Sequence, residues 1–468
     1  MKTIKFWTLG CKVNQYDTQV IREQFIRAGF KELDNGLPAD IYVINTCTVT
    51  HRADKDSLKF IRKAEKENPC ADIIVTGCLA ELDEAKIRNS NSKIILVQNK
   101  DKENILPYIN PLFVQAKYKQ DSKHDCAGIS YFTGHTRAFL KIQDGCDNFC
   151  SYCKVPYVRG RPRSKAISEI VIEAEKLVKN GFKEVVLCGV CLGAYGKDLG
   201  PKWDLVSVIK RLEEIGGLLR IRLSSIEPKD VNDALIEKLQ NSDKLCPHLH
   251  IPLQSGDDDV LKAMNRNYAR TEYLNLVNKI RKFIPDIAIT TDVLVGFPCE
   301  SERNFQNTVS LIKEIIPLRT HIFSYSRRQI SAAAEYFKKD LAPKVVRGRT
   351  AYLKTISHEC SLSYRQRFLN KEVLVLVESR TKENPHLWQG HTDNYIKVLI
   401  NPNFAIAKFA GRADRLNPNG FKRVRRGNHG RNPIAKSGIK ESADFKNKLI
   451  NIRLTKLTYD GMSGEKNA

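Results

Sequence analysis

The sequence has no apolar run approaching the roughly 18–20 residues of a membrane-spanning helix, so no membrane partner is expected. Its first twelve residues hold no apolar stretch long enough for a secretory leader. The chain carries 13 cysteines, yet lacks the dense, even spacing of a disulfide-stapled secreted domain. These absences point to a reducing, cytoplasmic setting in which cysteines are ligands or buried. Acidic excess is missing as well: 77 Lys and Arg stand against 53 Asp and Glu, a net charge of +24. An enzyme acting only on small molecules rarely needs such a balance. A polyanionic partner suits it, because neutralising phosphates releases counterions, although a solvated basic surface gives the same sum. At 468 residues there is room for roughly two to four domains.

What is present is organised around Gly145–Cys153, where Cys146, Cys150 and Cys153 stand at C-x3-C-x2-C spacing. Thiolates suit iron–sulfur clusters and zinc. A closed zinc site wants four ligands, and no His or fourth Cys stands in this run. Three thiolates on a 4Fe–4S cluster leave one iron open for a small chelator. The spacing resembles the radical S-adenosylmethionine (SAM) superfamily. That resemblance implies SAM chelated at the open iron, with Cys146, Cys150 and Cys153 at the catalytic centre.

Residues 1–120 alternate strands (Ile4–Leu9, Ile41–Asn45, Ile73–Val75) with helices (Asp17–Ala28, Asp54–Asn68), which predicts a parallel α/β sheet. Ligands bind at the carboxyl edge of such a sheet. Cys11, Cys47 and Cys78 each follow a strand end there, so they are expected to meet as a second three-thiolate site. The alternative is three small buried residues. Cys70, after Pro69, has no such placement and is expected to be structural. The segments TLGCKVNQYDT, VINTCTVTHRADKDS and VTGCLAE resemble the methylthiotransferases, most of all their MtaB branch. This implies two 4Fe–4S clusters and action on N6-threonylcarbamoyladenosine of tRNA, beside the anticodon.

Residues 132–365 alternate strand and helix six times: Ala138–Gln143, Glu184–Gly189, Leu219–Ser225, His248–Gln254, Ala288–Gly296 and His321–Ser326 are the strands, with helices such as Ile167–Lys179 and Leu205–Glu214 between them. This predicts a partial (β/α)6 barrel whose site lies at the carboxyl ends of its strands. The resemblance implies SAM contacts at Gly189, Ser224, Ser225, Glu227 and Gln254, with Ser255 beside them. Ser224, Ser225 and Glu227 fit ordinary loops equally, and Gly189 fits a turn. Cys188, Cys191, Cys299 and the segment Arg327–Ala332 depart from the family pattern, which places the cavity rim in question. Arg159, Arg161 and Arg163 suit phosphate or a SAM carboxylate, and equally a solvated basic loop.

Residues 368–461 hold short strands (Lys371–Ser379, Ile396–Ile400, Leu449–Leu457), with Trp388–Tyr395 leading into the second of them. They predict a small β-barrel that resembles the RNA-binding TRAM domain. Residues 401–468 carry 15 Lys and Arg against 5 Asp and Glu. Lys422, Arg423, Arg425 and Arg426 form the densest run and suit a phosphate backbone. The resemblance therefore implies a tRNA methylthiotransferase that adds methylthio at C2 of an anticodon-loop adenosine, served by an electron donor and a sulfur donor. The rivals are an isopentenyladenosine or ribosomal-protein substrate, and a non-catalytic RNA-binding Fe–S protein.

Overall fold

A computed structural model describes residues 1–34, 36–88, 94–109, 128–328, 330–401 and 445–466. The chain divides into two compact units, Met1–Ser363 and Tyr364–Ala468. The basic run Lys422–Arg426 lies outside the described residues.

The first unit opens with a parallel sheet of order β2-β1-β3-β4-β5, formed by β1 (Thr3–Thr8), β2 (Lys31–Glu32), β3 (Ile41–Thr46), β4 (Asp72–Gly77) and β5 (Ile95–Leu96). Every residue of β3 is buried, as expected of a central strand covered on both faces. Helix α1 spans Lys12–Arg27 and begins five residues before the sequence expectation. Its first turn escaped the apolar pattern because its buried face is polar: Asn14 and Asp17 are 1% and 3% exposed. Helix α2 (His51–Glu67) is capped by the Thr50 side chain, which accepts from Ala53 N.

The partial barrel follows in the same unit. β6 (Ala138–Lys141), β9 (Glu184–Cys188) and β10 (Arg220–Leu223) form one three-stranded parallel ladder. β11 (His248–His250), β12 (Ala288–Val295) and β13 (Arg319–Ser324) form a second. Isolated bridges Ile221–Leu245 and Ser225–His250 join the two, which yields six β/α units in sequence order. β11 stops at His250, short of the expected Gln254. Pro252 has no N–H for the ladder, and Gln254 has a positive φ of 65°. One continuous apolar core runs from Leu140 on β6 to Val295 on β12. It is sealed by the helices between the strands, including Ile167–Lys179 and Leu205–Glu213.

The second unit contains a closed five-stranded barrel of order β14-β15-β16-β18-β17. These strands are β14 (Glu372–Arg380), β15 (Trp388–Thr392), β16 (Lys397–Ile400), β17 (Leu449–Leu457) and β18 (Met462–Lys466). β15 and β18 were not drawn from the sequence. Both contain a glycine, at 390 and 464, over which a neighbouring backbone carbonyl passes: an added Cβ would lie 2.2 Å from Leu376 O and 2.6 Å from Arg453 O. Glycine weakens the strand signal while permitting that approach.

Candidate active site

The loop bearing Cys146, Cys150 and Cys153 leaves β6 and is pinned at its base. A two-residue antiparallel ladder pairs β7 (Gln143–Asp144) with β8 (Arg163–Ser164), and Cys146 N donates to Gly160 O at 3.0 Å. Farther out, Ser151 N and Oγ donate to Met264 O and Ala263 O at 2.9 and 2.8 Å. Asn265 Nδ2 donates to Phe149 O at 2.9 Å. Each thiol of the triad also receives a nitrogen donor: Asn148 N to Cys146 Sγ at 3.5 Å, Val155 N to Cys153 Sγ at 3.4 Å, and Arg266 Nη1 to Cys150 Sγ at 3.3 Å. Such N–H···S contacts favour thiolates, so the three residues fit a thiolate-ligated cluster. Burial pushes the Cys153 thiol up to about 12 without a bound ion. The hydrogen bond from Cys191 brings Cys146 down to about 7.

Cys191 is therefore a neighbour of the triad, which the sequence did not require. A chain of donors leads to it: Lys229 Nζ to Asn148 Oδ1 at 2.7 Å, Asn148 Nδ2 to Cys191 Sγ at 3.6 Å, and Cys191 to Cys146. Cys188 is buried and Cys299 is exposed. Sequence reasoning also missed Gln143, 1% exposed. Its amide donates to Gly145 O at 2.8 Å, and its carbonyl oxygen accepts from Cys191 N at 2.8 Å. Gly189 is required by this residue and not by a turn, because a Cβ there would sit 2.8 Å from Gln143 Oε1. Arg266 was missed too. It is 8% exposed, bonds to Glu227 and lies over the Tyr268 ring at 5.1 Å.

Among the expected SAM-contact residues, Ser224 is buried, and its Oγ has no hydrogen-bond partner among the described residues. A buried hydroxyl left unpaired marks a place where a ligand atom fits. Ser225 is exposed, Glu227 is held by Arg266, and Gln254 is half-buried on a left-handed backbone. Ser255 is buried, with its hydroxyl 3.3 Å from Thr308 Oγ1. Arg161 and Arg163 are exposed. Arg159 is not available to phosphate or SAM. It is 6% exposed and bonds to Asp17 at 3.0 Å, Asp144 at 3.1 Å and the Asn14 side chain.

At the edge of the first sheet, Cys11 is the N-cap residue of α1, Cys47 follows β3, and Cys78 opens the short helix after β4. Cys47 and Cys78 are buried and Cys11 is exposed. Burial pushes Cys47 up to about 12, with Cys78 and Cys11 adding to the rise, so the three thiols lie within electrostatic reach of one another. Gly10, at φ +94°, makes the closeness possible: a Cβ there would be 2.8 Å from Cys47 Sγ. This thiol set also fits a cluster with three protein ligands. Arg328, from the segment that departs from the family pattern, is 3% exposed and bonds to Asp54 at 2.9 Å and Thr48 Oγ1 at 3.0 Å. It thus braces the chain just after Cys47. Cys70 is exposed in its turn.

Residues 140–312 match the Radical SAM superfamily, and residues 3–98 match Uncharacterized protein family UPF0004. The chain is 39% identical over 410 residues to the threonylcarbamoyladenosine tRNA methylthiotransferase MtaB of Bacillus subtilis (strain 168), covering 86% of this chain and 90% of that one. The chain belongs to the MtaB family of radical SAM methylthiotransferases. The MtaB protein of Thermotoga maritima is 37% identical, covering 85% and 91% of the two chains. A tRNA-2-methylthio-N(6)-dimethylallyladenosine synthase of Clostridium tetani is 34% identical, covering 82% and 87%. The fold is also that of the radical SAM methyltransferase TsrM from Kitasatospora setae, with a TM-score of 0.52 at 13% identity, covering 71% of this chain and 77% of that one. As an MtaB-family member the protein is an enzyme that uses SAM and a 4Fe–4S cluster. No helix among the described residues is long and apolar enough to cross a membrane.

Proposed function

We propose that this enzyme adds a methylthio group to C2 of N6-threonylcarbamoyladenosine at position 37 of tRNA, in the cytoplasm. The observation that carries this reading is the presence of two three-thiol sets in one compact unit, Cys146/Cys150/Cys153 and Cys11/Cys47/Cys78. When bound, a cluster at the first set supplies the electron that cleaves SAM, and a second 4Fe–4S cluster holds the sulfur to be transferred.

The chain's own residues bind, aim and exclude water. Asn148 N, Val155 N and Arg266 direct N–H groups at the first thiol set. Ser224 offers its unpaired hydroxyl to SAM, with Gly189, Ser225, Glu227 and Gln254 completing the rim. Relatives named threonylcarbamoyladenosine tRNA methylthiotransferase reach 35–39% identity, against 34% for the dimethylallyladenosine synthases, which supports the threonylcarbamoyl substrate. Residues 1–120, 132–365 and 368–461 serve as sulfur-cluster, radical and RNA-binding domains, the last TRAM-like with its basic insert. An electron donor and a sulfur donor are required partners. Mass analysis of tRNA nucleosides from a deletion strain tests the reading. Loss of the 2-methylthio derivative of threonylcarbamoyladenosine, restored by this chain, is expected. Loss of the dimethylallyl derivative alone would assign the other substrate.

A further inference from the structure

The interior face of β11–β13 carries a cluster that neither thiol set uses. Alternate residues of a strand share a face, and the register places His250 opposite Thr290 and Asp292 opposite His321. One ligand-type atom from each of His250, Asp292 and His321 lies within 4.8 Å of the other two. His250 Nε2 is 3.1 Å from Asp292 Oδ1, and the rings of His250 and His321 have centroids 5.5 Å apart. We propose that His250, Asp292 and His321 form a binding site for a first-row divalent cation, of the Mn2+, Fe2+ or Zn2+ class, on the interior wall of the partial barrel.

The donor set and its spacing support this assignment. Two metal–ligand bonds of about 2.0–2.2 Å at tetrahedral or octahedral angles hold their donor atoms about 3.0–3.5 Å apart, which the His250–Asp292 pair already satisfies. Two imidazoles and one carboxylate on one side of an ion leave its other positions open. His250 Nδ1 lies 2.9 Å from Thr290 Oγ1. With Nδ1–H donating there, the Nε2 lone pair is free for the ion, the outer hydrogen bond that orients a metal-binding histidine. His248 Nε2, 3.0 Å from the same hydroxyl, supports the arrangement from behind. Two imidazole nitrogens among the three donors favour a first-row transition ion over Mg2+ and Ca2+, which take all-oxygen ligand sets. The side chains of His250 and Asp292 are 13% and 22% exposed, and His321 is exposed. The ion's remaining positions are therefore open to water or to an oxygen of a bound substrate.

The test is a Mn2+ titration of the full-length, anaerobically cluster-loaded protein, followed by electron paramagnetic resonance. Loaded clusters occupy the cysteines, and Mn2+ has little affinity for thiolates. One ion per chain is expected, displaced by Zn2+ and showing imidazole nitrogen coupling. His321→Gln, on an exposed edge strand, should weaken binding at least tenfold and remove one nitrogen coupling, and Asp292→Asn should weaken it similarly. Absence of a bound ion, binding without nitrogen coupling, or unchanged affinity in His321→Gln would overturn the assignment.

Discussion

Asp17→Asn should destabilise the first unit and loosen the tie between its two thiol sets. Asp17 is 3% exposed and meets three cations: Lys141 at 2.6 Å, Arg159 at 3.0 Å and Lys102 at 3.1 Å. Those side chains are 12%, 3% and 5% exposed. Burial alone would raise the Asp17 carboxyl, but Lys141, Lys102 and Arg159 together hold it well below the usual carboxylate range. With asparagine there, three buried cations are left with Asp144, which touches only Lys141 and Arg159. Breaking a buried ion pair from one side costs about 3–5 kcal/mol. An unfolding entropy of about 2.1 cal/mol/K per residue over a unit of this length makes that a fall of about 4–7 °C in Tm. The assay is thermal unfolding of the cluster-loaded protein under anaerobic conditions. Because the folded pKa is depressed, the contribution is complete above the unfolded value of about 3.9 and is lost as pH falls through the folded value. The difference between wild type and variant should therefore be constant from pH 6 to pH 8. The network joins α1, capped by Cys11, to the helix Val155–Arg159 that follows Cys153, so sulfur insertion should fall further than SAM cleavage. A Tm change below 1 °C would refute the account.

Alanine at Cys146, Cys150 or Cys153 should abolish formation of 5′-deoxyadenosine, while alanine at Cys11, Cys47 or Cys78 should spare some of it and stop sulfur insertion. Iron content unchanged in the triple variant of the second set would rule out a cluster there. Cys191→Ala should keep cluster iron and SAM cleavage within a few-fold of wild type, since its thiol neighbours Cys146 and an iron must stay open for SAM; loss of iron would make Cys191 a ligand. Gly10→Ala, which drives a Cβ against Cys47 Sγ at 2.8 Å, should lower iron bound at the second set and leave the first unaffected, as metal analysis and SAM cleavage together would show. Arg266→Met removes a cation and an N–H donor from Cys150, so the reconstituted cluster should become harder to reduce; a redox titration with an unchanged potential would contradict this.

The parts legible in the sequence were those with short-range signals. Cys146–Cys153 stands out because three cysteines fall within one loop, and the strand-end cysteines because alternating strands and helices fix which edge they share. The start of α1 was hidden by Asn14 and Asp17, buried polar residues whose partners are distant in sequence. Arg159 misled for the same reason, since a basic stretch carries no mark of the carboxylates that bury it. Gln143 and Arg266 act through partners 48 and 116 positions away, distances over which local periodicity is silent. The His250–Asp292–His321 cluster needed the register of three strands.

The two thiol sets also differ in when they can exist. Cys146, Cys150 and Cys153 lie within eight residues, and closing so short a loop costs little entropy. Iron can meet them on a partly folded chain, before the barrel is complete. Cys11, Cys47 and Cys78 are 36 and 31 positions apart and assemble only once β1, β3 and β4 have paired in parallel, the slow kind of contact. An ion held there is therefore a late arrival. If both sets hold clusters, chains with the first loaded and the second still empty would consume SAM before they could deliver sulfur.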